Sequence, residues 1–539
     1  QAKRGLLRLG GPGSTMPAAG QIPVKLAGPG GAPAPRRRPR RGSQLFATSV
    51  LLVLVACSWS SYISRPGSPL ALVVAASGAA ASNEDEVTEL QQVPSPGTLG
   101  ALGLLVATCI SYLGAFSSAR KLGAEEAAKP EAAPSAEAKK KPRIDAFDSL
   151  RFFLIAYIAS GHFIQTATKN PFLLRLISQI NVVVGAFFVL SGYVAAYTTT
   201  ELGERKGSKR LDNAVEFAIT RIMGFLPLHL LVLALFSPMF FWVDWNFSGT
   251  LVALWHGAIS AGMLQAWFPL SAEVWNAPTW FLSAFAFCLC VLPYALRCLA
   301  LQKKGELRRT LTFLTLLSLI PKLSYSYDLR AWGIMEGMLS SRTHPNYALF
   351  NAVRFSPFGA AMEVLMGAAA CRLVMLDDES SSKSGSALLP LLAMLAIIVL
   401  RAAGLMDIND MLVRSMVFMP LWIIFLMRIH RESTGPGGAK WLPKLLCTPV
   451  LQYLGSISFP IFIVHGPIGQ LFFKKAVAMK LWGGMLSTPL PFGVHWFFGV
   501  FWVAVLVSAA VLQKCFVDSA KVKGLSKSLQ TAAIGTLTG

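Results

Sequence analysis

Two polar residues in an otherwise apolar stretch, Arg151 and His162, have the types and spacing to do chemistry together. Ten residues separate them. At about 100° per residue, a helix returns them to within roughly 20° of one face, about 16 Å apart along its axis. That is near half of a ~30 Å hydrocarbon core. The face would carry a cation for an anionic group and, deeper, an imidazole for proton transfer. An interfacial Arg and a packed His would show the same spacing.

A carboxylate and a second histidine lie in two later apolar segments. Glu363 stands several residues inside 357–375, and His465 stands in the outer half of 450–472. A carboxylate in that position needs a partner, for which we expect an imidazole from another helix. His162, Glu363 and His465 are predicted to converge in depth and to form the catalytic group.

A second cation, Arg221, opens the third apolar segment on the same predicted face of the membrane as Arg151. Two guanidinium groups suit the phosphates of a nucleotide, because each can bind phosphate oxygens in a bidentate manner. We therefore predict that Arg151 and Arg221 bind an anionic ligand such as a nucleotide phosphate. Ordinary basic flanking of a membrane helix is the alternative for Arg221.

Four further residues are candidates for acceptor binding or structural support. Ser191 precedes Gly192, a small pair that permits close helix approach. Asn276, Trp280 and Ser283 lie where a non-cytosolic loop enters the fourth apolar segment. Asn276 and Ser283 can form hydrogen bonds, and a Trp suits a membrane interface, so an interfacial anchor is the alternative there.

The elements that position these residues are membrane helices. The 539 residues are 54% hydrophobic and only 14% charged, whereas soluble domains carry about 25% charged residues. The fold class is therefore an all-α polytopic membrane protein. The net charge of +22 comes from short basic clusters between apolar runs, as in loops that face anionic lipid, and no nucleic-acid partner is expected. Cys288 and Cys290 lack a second pair at metal spacing, so no metal and no tightly bound cofactor are predicted.

About ten core spans are expected, with both ends of the chain in the cytosol. The basic loops alternate correctly only if 248–268 does not cross but forms a half-span or a luminal cap. The predicted core spans are 148–168, 180–198, 218–241, 278–299, 309–322, 357–375, 387–404, 411–428, 450–472 and 494–514.

Four regions are predicted along the chain. Residues 1–44 form a disordered basic arm, and 45–146 contain two hydrophobic segments that are either a targeting leader or extra spans. Residues 147–515 form the membrane domain, and 516–539 form a short basic cytosolic tail. The ER or Golgi, the plasma membrane and a plastid-type organelle remain open as locations.

Taken together, the motifs resemble the acyltransferase 3 family of multi-pass membrane acyltransferases over about 147–515. The resemblance rests on five ordered matches: D-x-L-R at 148–151 with the ten-residue spacing to His162, F-F-V-L-S-G-Y at 187–193, W-N-x-P-x-W-x-L-S at 275–283, E-x-L-x-G at 363–367, and L-G-x-I-S-F with H-x-P at 454–467.

The resemblance implies an enzyme that transfers acyl groups other than amino-acyl groups. It implies acyl-CoA as a cytosolic co-substrate and a hydroxyl-bearing acceptor on the other side of the membrane. Arg151 and Arg221 would then bind the donor's phosphates, and His162 would act as general base or carry the acyl group transiently.

The chain departs from the family pattern at three positions, and two other functions stay open. Family members often have an Asp at the position of Gly185, a basic residue at that of Gly224 and, in bacteria, a Glu at that of Phe285. These departures are typical of a divergent eukaryotic member. A proton-coupled transporter or flippase would also use intramembrane His and Glu residues. The third possibility is a relative of the family that has no catalytic activity and serves as a scaffold.

Overall fold

The structure is a computed structural model. It describes residues 103, 106–107, 109–110, 141–328, 330–333, 347–377, 385–435 and 439–538. The predictions for 1–44, and those for 45–146 apart from residues 141–146 and five helical positions in the second hydrophobic segment, lie outside the described residues. Within those ranges the only extended pairing consists of two isolated bridges, so every regular element described is helical.

The described part of the chain between residues 146 and 354 contains ten helices, and short 3-10 turns link several of them. They are α1 Ala146–Phe163, α2 Pro171–Ile177, α3 Ile180–Val183, α4 Gly185–Thr199, α5 Ala214–Ile222, α6 Leu226–Ser248, α7 Thr250–Ala261, α8 Trp280–Leu301, α9 Lys304–Asp328 and α10 Tyr347–Arg354.

Ten more helices follow, and a π-helical turn at Arg414–Phe418 joins the third of them to the fourth. They are α11 Pro357–Met375, α12 Leu388–Ala402, α13 Asp410–Val413, α14 Met419–Thr434, α15 Trp441–Leu446, α16 Pro449–Ser456, α17 Ser458–Phe473, α18 Lys475–Trp482, α19 Phe497–Leu512 and α20 Ala520–Thr538.

The described chain has six helical stretches long and apolar enough to cross a membrane, or seven if the bent pair α16–α17 counts as one. This confirms the all-α polytopic fold. All ten predicted core segments are mainly helical, but the count of ten spans stays a prediction. Helix α1 is not among these stretches, and it contains the polar residues Asp148, Arg151 and His162. Helix α7, in the predicted half-span, has 12 residues and a length of about 18 Å, too short for a crossing.

Helices α4 and α11 form the closest helix pair around the site. A Cβ at Gly192 would lie 1.8 Å from the Val364 carbonyl oxygen, and one at Gly367 would lie 1.9 Å from that of Val189. Any side chain at either position would therefore force the two backbones apart. The predicted close approach at Gly192 is confirmed.

Helices α1 and α17 are brought together by two further glycines. Helices α16 and α17 meet at an angle of 59°. Gly455, before the bend, packs on the first turn of α1, where a Cβ would lie 2.5 Å from the Asp148 carbonyl oxygen. Gly469, after it, leaves room for the ring of Phe163, which would be 2.0 Å from a Cβ. Contacts at both ends of α1 hold it against the bent pair α16–α17.

Candidate active site

A pair of histidines lies where α1 and α17 meet. His162 Nδ1 is 3.0 Å from His465 Nε2. The ring planes differ by 3°, and the centroids are 5.3 Å apart. The two centroids are farther apart than the two nitrogens by about one ring width, which is half of each ring. This is expected when the rings lie end to end in one plane and share a hydrogen bond, and not when they stack face to face. The prediction from the sequence that His162 and His465 converge is confirmed by this contact.

The partners of His465 assign the tautomers of the neutral pair. His465 Nδ1 is 3.2 Å from the Ile461 carbonyl oxygen, and a carbonyl oxygen only accepts, so this nitrogen carries the hydrogen. His465 Nε2 is then an acceptor, and His162 Nδ1 donates to it. The lone pair of His162 is therefore left on Nε2. His465 is fully buried, whereas His162 lines a cavity, so His162 is the imidazole available to a substrate.

The cavity has a volume of about 440 Å³ and extends along α1 from Arg151 to His162. Its lining divides into charged groups and an apolar wall. The charged groups include Arg151 and Asp148, and Ser191 from α4 adds a hydroxyl. The apolar wall includes six phenylalanines: Phe187, Phe225, Phe281, Phe285, Phe459 and Phe462.

One carboxylate joins two cations at the start of α1. Asp148 accepts hydrogen bonds from Arg151 at 2.5 Å and from Arg143 at 2.6 Å. Arg143 also contacts Asp145 at 2.9 Å. The hydrogen bond to Asp148 raises the pKa of Arg143, which lies just before the helix. Arg143 was outside the predicted site, and its position in a basic linker gave no sign that it lines the cavity with Arg151.

A second ion pair, Arg354 with Glu273, also lines the cavity. The guanidinium lies over the ring of Phe355 at 4.1 Å and that of Phe350 at 4.8 Å. Arg354 and His162 both line the cavity. The partners are 81 residues apart, so no local sequence pattern could reveal the pair.

Glu363 does not contact His162 or His465. Arg414 donates to its Oε2, and Lys322 contacts its Oε1 at 3.4 Å. Lys322 donates in addition to Ser415 at 2.5 Å. The expected imidazole partner is therefore wrong, because two cations from α9 and the π-helical turn take the carboxylate oxygens. Glu363 is 1% exposed and is not among the residues lining the cavity.

Arg221 is also separate from the cavity. Its guanidinium lies 3.6 Å from the centroid of the Phe217 ring. Among residues 214–225, only Phe225 lines the cavity. The structure therefore does not pair Arg221 with Arg151, and its role in donor binding stays a prediction.

The four support residues divide into two pairs. Trp280 and Ser191 line the cavity. Asn276 and Ser283 instead hold backbone: Asn276 Nδ2 donates to the Ile463 carbonyl oxygen at 2.8 Å, two residues before His465, and Ser283 Oγ accepts from the N–H of Ala266 at 3.1 Å. Asn276 thereby fixes the helix that carries the second histidine.

Two departures from the family pattern have a structural explanation. A Cβ at Gly185 would lie 2.5 Å from Arg414 Nε and 2.8 Å from Glu363 Oε2. The Arg414 guanidinium thus fills the space that a side chain at Gly185 would need, and Glu363 supplies the carboxylate there. Phe285 belongs to the apolar wall of the cavity and stacks on Phe281 at 6.0 Å.

Comparison with known proteins gives a single finding. No curated protein and no solved structure matches the chain. The sequence profile of the acyltransferase 3 family, described as an acyltransferase domain, matches residues 144–512. That interval is more than half of the chain and contains both histidines, Arg151 and the six phenylalanines of the cavity wall. The chain is an integral multi-pass membrane protein with an acyltransferase domain, and it belongs to the acyltransferase 3 family.

Proposed function

We propose that this protein transfers an acyl group from acyl-CoA to a hydroxyl group of an acceptor that arrives from the opposite side of the membrane. The observation that carries the proposal is the His162–His465 hydrogen bond of 3.0 Å beside a cavity that also contains Arg151. The cavity brings a base and a phosphate-binding cation into one space. No described feature favours the transporter alternative.

His162 is the general base of the proposed reaction. Its Nε2 takes the proton of the acceptor hydroxyl while the hydroxyl oxygen attacks the thioester carbonyl carbon. The resulting tetrahedral intermediate collapses, its carbon–sulfur bond breaks, and the proton passes from His162 to the departing thiolate. His465 accepts the Nδ1 hydrogen of His162 throughout, which keeps the reactive lone pair on Nε2.

The distance between Arg151 and His162 along α1 suits the distance between the phosphates and the thioester of the donor. Arg151 and His162 are about 16 Å apart along the axis, and a coenzyme A thioester is separated from its phosphates by a long flexible arm. The phosphates would bind at Arg143 and Arg151, and the arm would pass along the phenylalanine wall to His162. By the positive-inside rule, the end of the cavity at Arg151 faces the cytosol.

Labelled acyl-CoA tests the proposal. Membranes or reconstituted vesicles containing the protein are incubated with the donor, and mass spectrometry identifies the acylated product. We expect the rate with His162→Ala to fall by about 10²- to 10⁴-fold, the usual contribution of general acid–base catalysis. His495→Ala is the matched control, because His495 is a half-buried histidine outside the cavity, and its rate should equal that of the wild type.

Two results would count against the proposal. A folded His162→Ala protein with the wild-type rate of acyl transfer would remove His162 from the mechanism. Proton-coupled flux across the vesicles without acyl transfer would support the transporter instead.

A further inference from the structure

Arg354 is a cation beside the proposed reaction centre that donor binding does not explain. It lines the cavity together with His162. It comes from the end of α10, whereas Arg143 and Arg151, the proposed phosphate-binding groups, come from the start of α1. The ring of Phe355, the residue after Arg354, lies 4.6 Å from that of Trp280, and Asn276, four residues before Trp280, binds the helix that carries His465. Arg354 is therefore at the histidine end of the cavity, near the acyl carbonyl rather than near the phosphates.

The Arg354 guanidinium is held in a fixed orientation. Glu273 accepts from its Nη2, and the side chain is only 11% exposed. The rings of Phe350 and Phe355 lie within cation–π distance, at 4.8 Å and 4.1 Å. A planar guanidinium fixed by an ion pair and two rings needs no reorganisation when charge develops next to it.

The same guanidinium keeps donor capacity that its partners do not use. Among the described residues, Arg354 Nε is buried and has no hydrogen-bond acceptor. Nη2 donates to Glu273, and the guanidinium forms no other hydrogen bond within the described residues, so Nη1 is left to donate to a negative oxygen in the cavity. At the acyl group, such an oxygen appears only when the thioester carbonyl becomes tetrahedral.

We propose that Arg354 is a catalytic residue that stabilises the oxyanion of the tetrahedral intermediate. This inference rests on the proposed acyl transfer. When the acceptor oxygen attacks the carbonyl carbon, the carbonyl π electrons move to its oxygen, and Arg354 donates a hydrogen bond to the resulting oxyanion. When the carbon–sulfur bond breaks, the electrons return and the hydrogen bond weakens again. His162 moves the proton in both steps, and Arg354 moves none.

The test measures kcat and KM for acyl-CoA with the full-length protein in vesicles. Arg354→Gln should lower kcat by about 10²- to 10³-fold, as loss of one oxyanion donor does elsewhere, with little change in KM. Arg354→Lys keeps the charge but loses the planar fork, so its kcat should lie between those of Arg354→Gln and the wild type. Arg308→Gln, an exposed cation outside the cavity, is the matched control and should keep the wild-type kcat.

A binding measurement separates catalysis from structural damage. An S-alkyl-CoA thioether has the phosphates and the arm but no thioester carbonyl, so it cannot form the oxyanion. Its affinity should be the same for the wild type and for Arg354→Gln, because that variant loses a contact made only in the transition state. Glu273→Gln offers a second route, since it keeps the guanidinium and removes the charge that pairs with it; we expect about a tenfold loss of kcat there.

The outcomes distinguish this inference from the function on which it rests. If the wild type transfers acyl groups and Arg354→Gln keeps the wild-type kcat, Arg354 has no part in the chemistry. A raised KM and weaker thioether binding at unchanged kcat would make Arg354 a donor-binding residue and would overturn the inference. If the wild type transfers no acyl group at all, the proposed function fails together with this inference.

Discussion

Glu363 and Asp148 are two carboxylates that each bind two cations, and their surroundings differ. Glu363 accepts from Arg414 and contacts Lys322 at 3.4 Å. Its side chain is 1% exposed, and those of the two cations are 7% and 9% exposed. None of the three residues lines the cavity.

Asp148 forms the corresponding cluster at the open end of the cavity. It contacts Arg151 at 2.5 Å and Arg143 at 2.6 Å, and its side chain is 18% exposed. All three residues line the cavity. A phosphate that enters there can replace the carboxylate as the partner of either cation.

The difference shows that a pattern of charges does not determine what the charges do. In the buried cluster, the loss of one member leaves the others without water, so the cluster acts on stability. At the cavity mouth, water and ligands can replace a lost partner, so the cluster acts on binding. Three single substitutions and one triple substitution test this distinction.

Glu363→Gln should have the largest effect, and the effect should be on stability. The substitution leaves Lys322 and Arg414 buried without a counter-charge, which costs about 3–5 kcal/mol. We expect a large fall in the thermal unfolding temperature of the detergent-solubilised protein. His162→Ala, at the cavity wall, should unfold near the wild-type temperature while losing activity.

A triple substitution shows whether the Glu363 carboxylate also has a catalytic role. Lys322→Met, Glu363→Leu and Arg414→Met together replace the ion cluster by apolar side chains, an exchange that is often neutral or stabilising. We expect this variant to regain stability and to transfer acyl groups. A stable triple variant without activity would support the sequence prediction that Glu363 is catalytic.

The sequence predicts much of the fold because apolar length and basic loops are local signals. The ten-residue spacing from Arg151 to His162 is also local, and both side chains line the cavity as one helix face requires. A similar depth in the membrane is weaker evidence that two residues are in contact, since Glu363 and His465 have a similar predicted depth and only one of them contacts His162. His465 contacts His162 and Glu363 does not because of which helices pack side by side. The periodicity of apolar residues does not predict those helix neighbours.

Arg414 shows a second limit of prediction from sequence. It begins a five-residue π-helical turn, Arg414–Phe418, inside the stretch Asp410–Thr434. A π turn shifts the faces of a helix from the 3.6-residue period, so the direction of Arg414 cannot be inferred from the spacing of its neighbours. The absence of a side chain at Gly185 is visible in the sequence, but the guanidinium that fills the space is not.

Arg151→Gln should have the next largest effect, on donor binding. A hydrogen bond to a charged group contributes about 1.5–3 kcal/mol, so we expect KM for acyl-CoA to rise by about 10- to 100-fold. Arg221→Gln is the matched comparison, because Arg221 lies over Phe217 and outside the cavity. Its KM should stay near that of the wild type. Equal increases in both variants would restore Arg221 to the donor site.

Asp148→Asn should have the smallest effect, and of opposite sign. The carboxylate competes with the donor's phosphates for Arg143 and Arg151, so its loss should lower KM for acyl-CoA. An exposed ion pair contributes about 0.2–1 kcal/mol, which limits the decrease to about fivefold. The decrease should shrink at high salt, where these charges are screened. Asp212→Asn is the control, since Asp212 pairs with Arg297 away from the cavity. A raised KM for Asp148→Asn would mean that the carboxylate orients the two cations rather than competing with phosphate, and that the cluster at the mouth is as structural as the buried one.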